Sequence, residues 1–307
     1  MSSKYNGLSL RGSYGLMLNE LSSDTDFFVA ACDTSTSAGL DRFKSKNENR
    51  YIEFGISEQA AMSAAAAFTL QNNKMFLSTF APFVTYRCAE QIKVSVSYDK
   101  APLCFVGLAS GLVQSHLGGT HCSFSENAFL KSLSNLEVYT PANQSELLLV
   151  LRSYLEKPKP MYIRLLGDSK LNRNQSEEIS PFFYKQSEGK EVAIVFTGTL
   201  FHYESKLLEA LDIYNLKPST YSLTNLNQDN FENVIKELTE FSRVFFVEEH
   251  TVLGSIYSEI KLYGSKINSK FIGIDLNLVE LGGSYEEALN STKLDVIGIT
   301  QQILSAI

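Results

Sequence analysis

One carboxylate stands out in the stretch "RYIEFGISEQAAM" (residues 50–62). Glu58 follows the apolar run Ile52, Phe54, Ile56 and precedes the alanine-rich segment Ala60 to Phe68. An acidic side chain at the seam of a buried strand and a buried helix either serves the helix end or handles a proton. Ser57 can cap the helix, and an acid in a first turn complements the helix dipole by about 0.3–1 kcal/mol. On local sequence alone the helix-end role is the simpler one. Two histidines, His116 and His121, sit five apart in "SHLGGTHCS". Alone they read as a turn feature; placed after a parallel strand, such a loop is where function concentrates. Gly118-Gly119 lacks the G-x-G-x-x-G spacing of a dinucleotide loop, and the common phosphate, zinc and hydrolase motifs are absent.

The elements that must position these residues follow from hydrophobic patterning. "DFFVAAC" (26–32), "RYIEFGI" (50–56), "MFLSTF" (75–80) and "APLCFVGLA" (101–109) read as buried parallel strands. Helical patterns lie between them: "SYGLMLNELSS", "SEQAAMSAAAAFTLQ" and "TYRCAEQIKVSVSYD". The polar stretch 168–190 carries no apolar period and reads as a linker. A second series follows, with strands at 191–198, 218–223, 243–250 and 270–276 and helices at 203–214, 231–240 and the C-terminus. The fold class is α/β in two domains, each a mostly parallel sheet flanked by helices. The boundaries are 1–172, a linker at 173–189, and 190–307.

The chain has 307 residues, 44% of them hydrophobic, and a net charge of -7. That balance, without a Lys/Arg cluster, excludes a nucleic-acid footprint. No apolar run is long enough to span a membrane, and the N-terminus lacks a signal-peptide core. Cys32, Cys88, Cys104 and Cys122 form no C-x-x-C pair, so neither a zinc site nor a disulfide framework is expected. Reduced buried thiols place the protein in a cytoplasm.

The ordered set "GISEQAAMSAAAAF", "STFAPFVTYR", "GGTH", "PANQSE" and "YIRL" resembles the pyrimidine-binding domain of transketolase and deoxyxylulose-phosphate synthase. "VAIVFTGT" and "VFFVEEHTVLGS" resemble the C-terminal domain of the same family. The resemblance implies thiamine diphosphate held between subunits. Glu58 then matches the glutamate that hydrogen-bonds N1′ of the cofactor's aminopyrimidine, which prepares thiazolium C2 as a nucleophile. Phe80, Phe83 and Tyr86 match the aromatic pocket for the pyrimidine ring, with Phe83 the stacking candidate; the plain alternative is that these three are core. Asp33 matches a residue on the thiazolium side. His121 matches the histidine that assists proton transfer at the substrate oxygen. Arg11, Ser37 and Arg164 fall where the substrate's phosphate is bound, and His116 joins them as a substrate-binding candidate.

Departures from the family shape the expected function. The chain lacks the G-D-G…N domain that holds Mg2+ and the diphosphate, so a separate N-terminal subunit is expected to supply it in an α2β2 assembly. No metal site is expected in this chain. Leu117 replaces an aspartate that reads a sugar hydroxyl, and Ala109 replaces a histidine, which weakens the match to an ordinary ketose phosphate. The expected activity is a transketolase-like transfer of a two-carbon ketol unit between sugars or sugar phosphates, by a chain active only with its partner. The rivals are a 2-oxoacid-decarboxylating synthase that makes a 1-deoxyketose, and more weakly a 2-oxoacid dehydrogenase β subunit. From another class comes a non-catalytic scaffold.

Overall fold

Short, nearly continuous apolar runs build the first sheet because helices cover both faces of a parallel sheet. β1 (Phe28–Ala31), β2 (Tyr51–Glu53), β3 (Met75–Phe80), β4 (Cys104–Leu108), β5 (Glu137–Tyr139) and β6 (Met161–Arg164) pair in the order β2-β1-β3-β4-β6-β5. Every pairing is parallel. The protein, in a computed structural model, is described at residues 5, 7–166, 177–227, 229, 231–263, 266–277 and 279–307. Among those residues no helix is long and apolar enough to cross a membrane.

The chain order reverses between β1 and β3: from β1 the chain goes outward to β2, then returns to β3 on the other side. In an open parallel sheet the crevice at that reversal, at the carboxyl ends of the strands, is where ligands bind. Asp33 follows β1 there, Phe80 ends β3, and Arg164 ends β6. The helix Leu10–Leu21 carries Arg11 and is capped by Ser9, whose Oγ accepts from the Gly12 N–H at 3.1 Å. Its Gly15 has no room for a Cβ, which would overlap the Gly39 carbonyl. That close approach fixes the turn 34–40 carrying Ser37. The "PANQSE" motif proves to be a helix start: Asn143 accepts from the Glu146 N–H at 3.0 Å and donates to its carboxylate at 2.9 Å.

The second sheet runs β12-β11-β9-β10-β8-β7. Its parallel part is β9 (Val192–Thr197), β10 (Ser219–Leu223), β11 (Arg243–Glu248) and β12 (Ser269–Ile272). β8 (Phe183–Ser187) pairs antiparallel with β10, and β7 (Glu177–Ser180) pairs antiparallel with β8. The expected linker therefore needs correcting over its described part: residues 177–187 are an antiparallel hairpin, with β8 paired to β10 and β7 at the sheet edge. Phe183 and Tyr184 are buried and anchor β8. The residues on either side of the 172/173 boundary lie outside the described ones.

Compact units also differ from the expected domains. One unit holds Met1–Ser110, Phe129–Tyr139 and Asn143–Asn172; the other holds Gly111–Ala128, Thr140–Ala142 and Arg173–Ile307. The "GGTH" loop thus folds with the second unit. Leu112 and Ala142 sit in that unit's core beside Ile194, Phe196, Phe245 and Val247.

Candidate active site

Glu58 is the first residue of the helix Glu58–Thr69 and is only 4% exposed. Ser57 does not cap that helix, contrary to the expectation from sequence; its hydroxyl donates instead to the Phe54 carbonyl at 2.7 Å. Its extended φ of -147° carries the chain out of the β2 loop. Glu58 therefore sits in the first turn without a side-chain cap before it. Its Oε2 accepts from Arg87 Nη1 at 2.7 Å, and among the described residues Oε1 accepts no hydrogen bond.

Arg87 is the residue that reading the sequence missed. Its guanidinium lies 4.2 Å from the Phe83 ring centroid, so one cation touches both the buried acid and the candidate stacking ring. The available signal was the spacing, since Phe83 and Arg87 are four apart in sequence. Phe80 and Phe83 are both half-buried, with ring centroids 6.3 Å apart and planes at 81°. Tyr86 is 42% exposed. Two thiols complete the surroundings. Burial and then the Glu58 charge push Cys32 up to about 12, and the same two causes push Cys88 to about 12. Both thiols are neutral near pH 7, so the charge that meets Glu58 is the Arg87 guanidinium.

Asp33 holds φ +55°, a left-handed conformation uncommon for a side-chain-bearing residue. Glu53 stabilises it: Oε1 accepts from the Asp33 N–H at 2.8 Å and the Gly55 N–H at 3.1 Å, while Oε2 accepts from the Tyr51 hydroxyl at 2.6 Å. These bonds hold the Glu53 carboxyl below the usual range against the opposing effect of burial. One carboxylate thereby ties the ends of β1 and β2 together just before Glu58.

Arg164 is 1% exposed, whereas Arg11 is half-buried and Ser37 exposed. Ala109, at the position where the resemblance implies a histidine, is buried with φ +51°. The structure thus brings Glu58 and Phe83 together around Arg87, with Phe80 beside Phe83, and sets Asp33 and Arg164 at strand ends of the same sheet. It does not put the two histidines in that compact unit. His116 is exposed, Leu117 is 49% exposed, and His121 is half-buried with Nδ1 3.0 Å from the Thr120 hydroxyl. No cluster of three or more metal-ligating side chains occurs among the described residues.

The chain is similar in sequence and fold to several known proteins. An apulose-4-phosphate transketolase subunit of Phocaeicola vulgatus is 24% identical over 289 residues, covering 92% of each chain. A putative transketolase C-terminal section of Methanocaldococcus jannaschii is 24% identical over 312 residues, 99% of this chain and 97% of that one. The 1-deoxy-D-xylulose-5-phosphate synthase of Heliobacterium modesticaldum is 26% identical over 226 residues, 72% of this chain but 35% of that one. A solved structure described as a split gene transketolase, inactive β4 tetramer, shares the fold with a TM-score of 0.82 and 23% identity over 98% of each chain. Residues 7–167, which hold the sheet, Glu58 and its aromatic neighbours, match the family described as transketolase, pyrimidine binding domain, and the chain belongs to that family.

Proposed function

We propose that this chain is the pyrimidine-side subunit of a two-subunit, thiamine diphosphate-dependent transketolase-like enzyme that transfers a two-carbon ketol unit between sugars or sugar phosphates. The observation that carries it is Glu58: a buried carboxylate with one oxygen taken by Arg87, the other accepting nothing among the described residues, and half-buried aromatic rings alongside. A planar ring with a protonatable nitrogen fits that arrangement. When bound, thiamine diphosphate supplies the carbon nucleophile and electron sink that ketol transfer needs. Glu58 Oε1 would hold a proton at N1′ of the bound cofactor, while Arg87 keeps Oε2 occupied so that the carboxylate presents one oxygen. Phe80, Phe83, Tyr86 and Asp33 would help hold the cofactor, the two phenylalanines by excluding water from its pyrimidine ring.

His121 serves the substrate oxygen, and Arg11, Ser37, His116 and Arg164 serve the substrate's polar and anionic groups. Leu117 and Ala109 favour a substrate lacking one of the hydroxyl contacts of an ordinary ketose phosphate. Mg2+ and the diphosphate belong to a separate partner subunit in an α2β2 assembly. Support for this comes from two relatives of nearly the same length that are named as transketolase subunits. Four free buried cysteines suit a reducing compartment, the cytoplasm.

The test is calorimetric binding of thiamine diphosphate with Mg2+ to this chain alone and to the chain with its co-purified partner, followed by turnover. Binding by the complex only, and a loss of about 10²–10⁴-fold in turnover on Glu58→Gln, are expected for a proton-handling acid. Unchanged turnover in that variant sinks the proposal. Release of CO2 from a 2-oxoacid, with no transfer from a ketose donor, assigns the synthase instead.

A further inference from the structure

The motif "VEEH" at the end of β11 has no part in the site above, yet all three of its polar residues are buried: Glu248 at 1%, Glu249 at 0% and His250 at 1% exposure. Glu248 is explained within its own domain. It accepts from the N–H groups of Ile256 and Tyr257, at 3.0 and 3.1 Å, and so caps the helix Ile256–Tyr263. Glu249 points elsewhere. Its Oε1 accepts from the Leu112 N–H at 2.6 Å, across 137 residues of sequence, and its Oε2 accepts from the Tyr285 hydroxyl at 2.6 Å.

Leu112 opens the loop that carries both histidines. Gly111 and Ser123 close that loop with a reciprocal pair of backbone hydrogen bonds, 2.6 and 3.0 Å. Residues 111–123 therefore form a compact loop whose ends meet, a shape that packs on its own side chains and commonly carries function. The exit is held by the same turn as the entry. The Thr251 N–H donates to the Phe124 carbonyl at 2.8 Å, and the Asn127 N–H donates to His250 Nε2 at 3.3 Å. His250 Nδ1 lies 2.8 Å from the Thr251 carbonyl, which places the ring proton on Nδ1 and leaves Nε2 as the acceptor. Gly254, at φ +80°, lets the turn approach so closely that a Cβ there would overlap the Ala128 backbone. Leu112 is fully buried, and Phe124 packs against the same core.

We infer that Glu249, with His250 beside it, is a positioning residue: the second domain's contribution to the reaction is to set the place of the His116–His121 loop. This rests on the proposed role of His121. A carboxylate suits the task because it takes a backbone N–H and a phenol hydroxyl on opposite oxygens, and charged hydrogen bonds are about twice as strong as neutral ones.

Cys122 lets the anchor be read without any catalysis. It sits inside the loop at 5% exposure, and burial, helped by the Glu249 charge, pushes its thiol up to about 11. Cys104 in β4 is fully buried and reports whether the fold as a whole survives. The experiment is site-resolved alkylation at pH 8, read by peptide mass, together with steady-state turnover of the chain with its partner. Glu249→Ala should raise Cys122 labelling at least tenfold with Cys104 still protected, and should lower kcat at least tenfold at saturating cofactor. Glu249→Gln, which keeps an acceptor for Leu112, should restore both. Protected Cys122 in Glu249→Ala overturns the anchor, and freed Cys122 with unchanged kcat overturns the positioning role. If Cys104 is labelled as well, Tyr285→Phe decides: Cys122 labelling must rise several-fold with Cys104 protected, and parity with wild type overturns the inference. A wild-type complex that binds cofactor but transfers no ketol sinks the functional proposal, while Cys122 still reports on the anchor.

Discussion

The contact between Glu58 and Arg87 is testable before any cofactor or partner is in hand, by a double-mutant cycle of Arg87→Met and Glu58→Gln. The pair is asymmetric, with side-chain exposures of 41% for Arg87 and 4% for Glu58 at 2.7 Å. A fully exposed ion pair is worth about 0.2–1 kcal/mol. Removing one partner of a fully buried pair costs about 3–5 kcal/mol because a charge is left stranded. Glu58 lies near the buried limit and Arg87 nearer the exposed one. Arg87→Met therefore strands the acid and should cost about 2–3 kcal/mol, of which about 0.5–1 kcal/mol is the lost contact with the Phe83 face. Glu58→Gln keeps an acceptor for Arg87 and should cost about 1 kcal/mol. The double variant should fall short of the sum by about 1–2 kcal/mol, the energy of the charged hydrogen bond itself. The chain contains no tryptophan, so the assay is urea unfolding followed by circular dichroism on the four proteins. Costs that add to within about 0.3 kcal/mol would refute the coupling and remove Arg87 from the site.

Three further outcomes follow from other parts of the molecule. Gly15→Ala gains about 1 kcal/mol of helix propensity but drives a Cβ into the Gly39 and Ala38 carbonyls, and a backbone clash of this kind costs about 1–3 kcal/mol or more. A net loss in thermal unfolding is expected; a stabilised variant would show that the helix Leu10–Leu21 does not pack on the turn 34–40. Cys32 and Cys88 are both raised from the ordinary thiol value of 9.0 to about 12. The folded state thus holds their protons where the unfolded chain releases them, so stability is intact below pH 9 and falls between pH 9 and 12. Replacing both by alanine should flatten that alkaline slope in urea midpoints measured at pH 8, 9, 10 and 11, and an unchanged slope would dismiss the thiols as its source. Gly254→Ala should disturb the turn that holds Ala128, lowering stability by about 2 kcal/mol or more through φ strain and overlap together; wild-type thermal unfolding would contradict the close approach.

What could be read from sequence and what could not divides along the range of the interactions involved. β1, β3, β4 and β9 are mostly apolar runs, buried at nearly every residue, and their positions needed only the local pattern. Glu58 could be singled out for the opposite reason, being a charge that its apolar neighbours do not explain. β7 and β8 escaped notice because an edge hairpin buries one or two residues per strand and leaves the rest polar, as a linker does. Ser57 has the right type for a helix cap, yet its dihedrals aim the hydroxyl back at Phe54, and no residue preference encodes that. The affiliation of the "GGTH" loop is the extreme case. Its motif resemblance assigned it to the first domain, while the buried carboxylate that holds it lies 137 residues away in the second, just past the end of β11. From sequence, "VFFVEEH" is an apolar strand that ends in charge. Nothing local says whether those charges meet water, a helix end or a distant backbone N–H. In the folded chain Glu248 meets the helix end and Glu249 the distant N–H. Two adjacent, chemically identical residues thus separate a capping role from an anchoring one: Glu248 is the last residue of β11, whereas Glu249 lies in the bend just past it, where the chain has already left the strand.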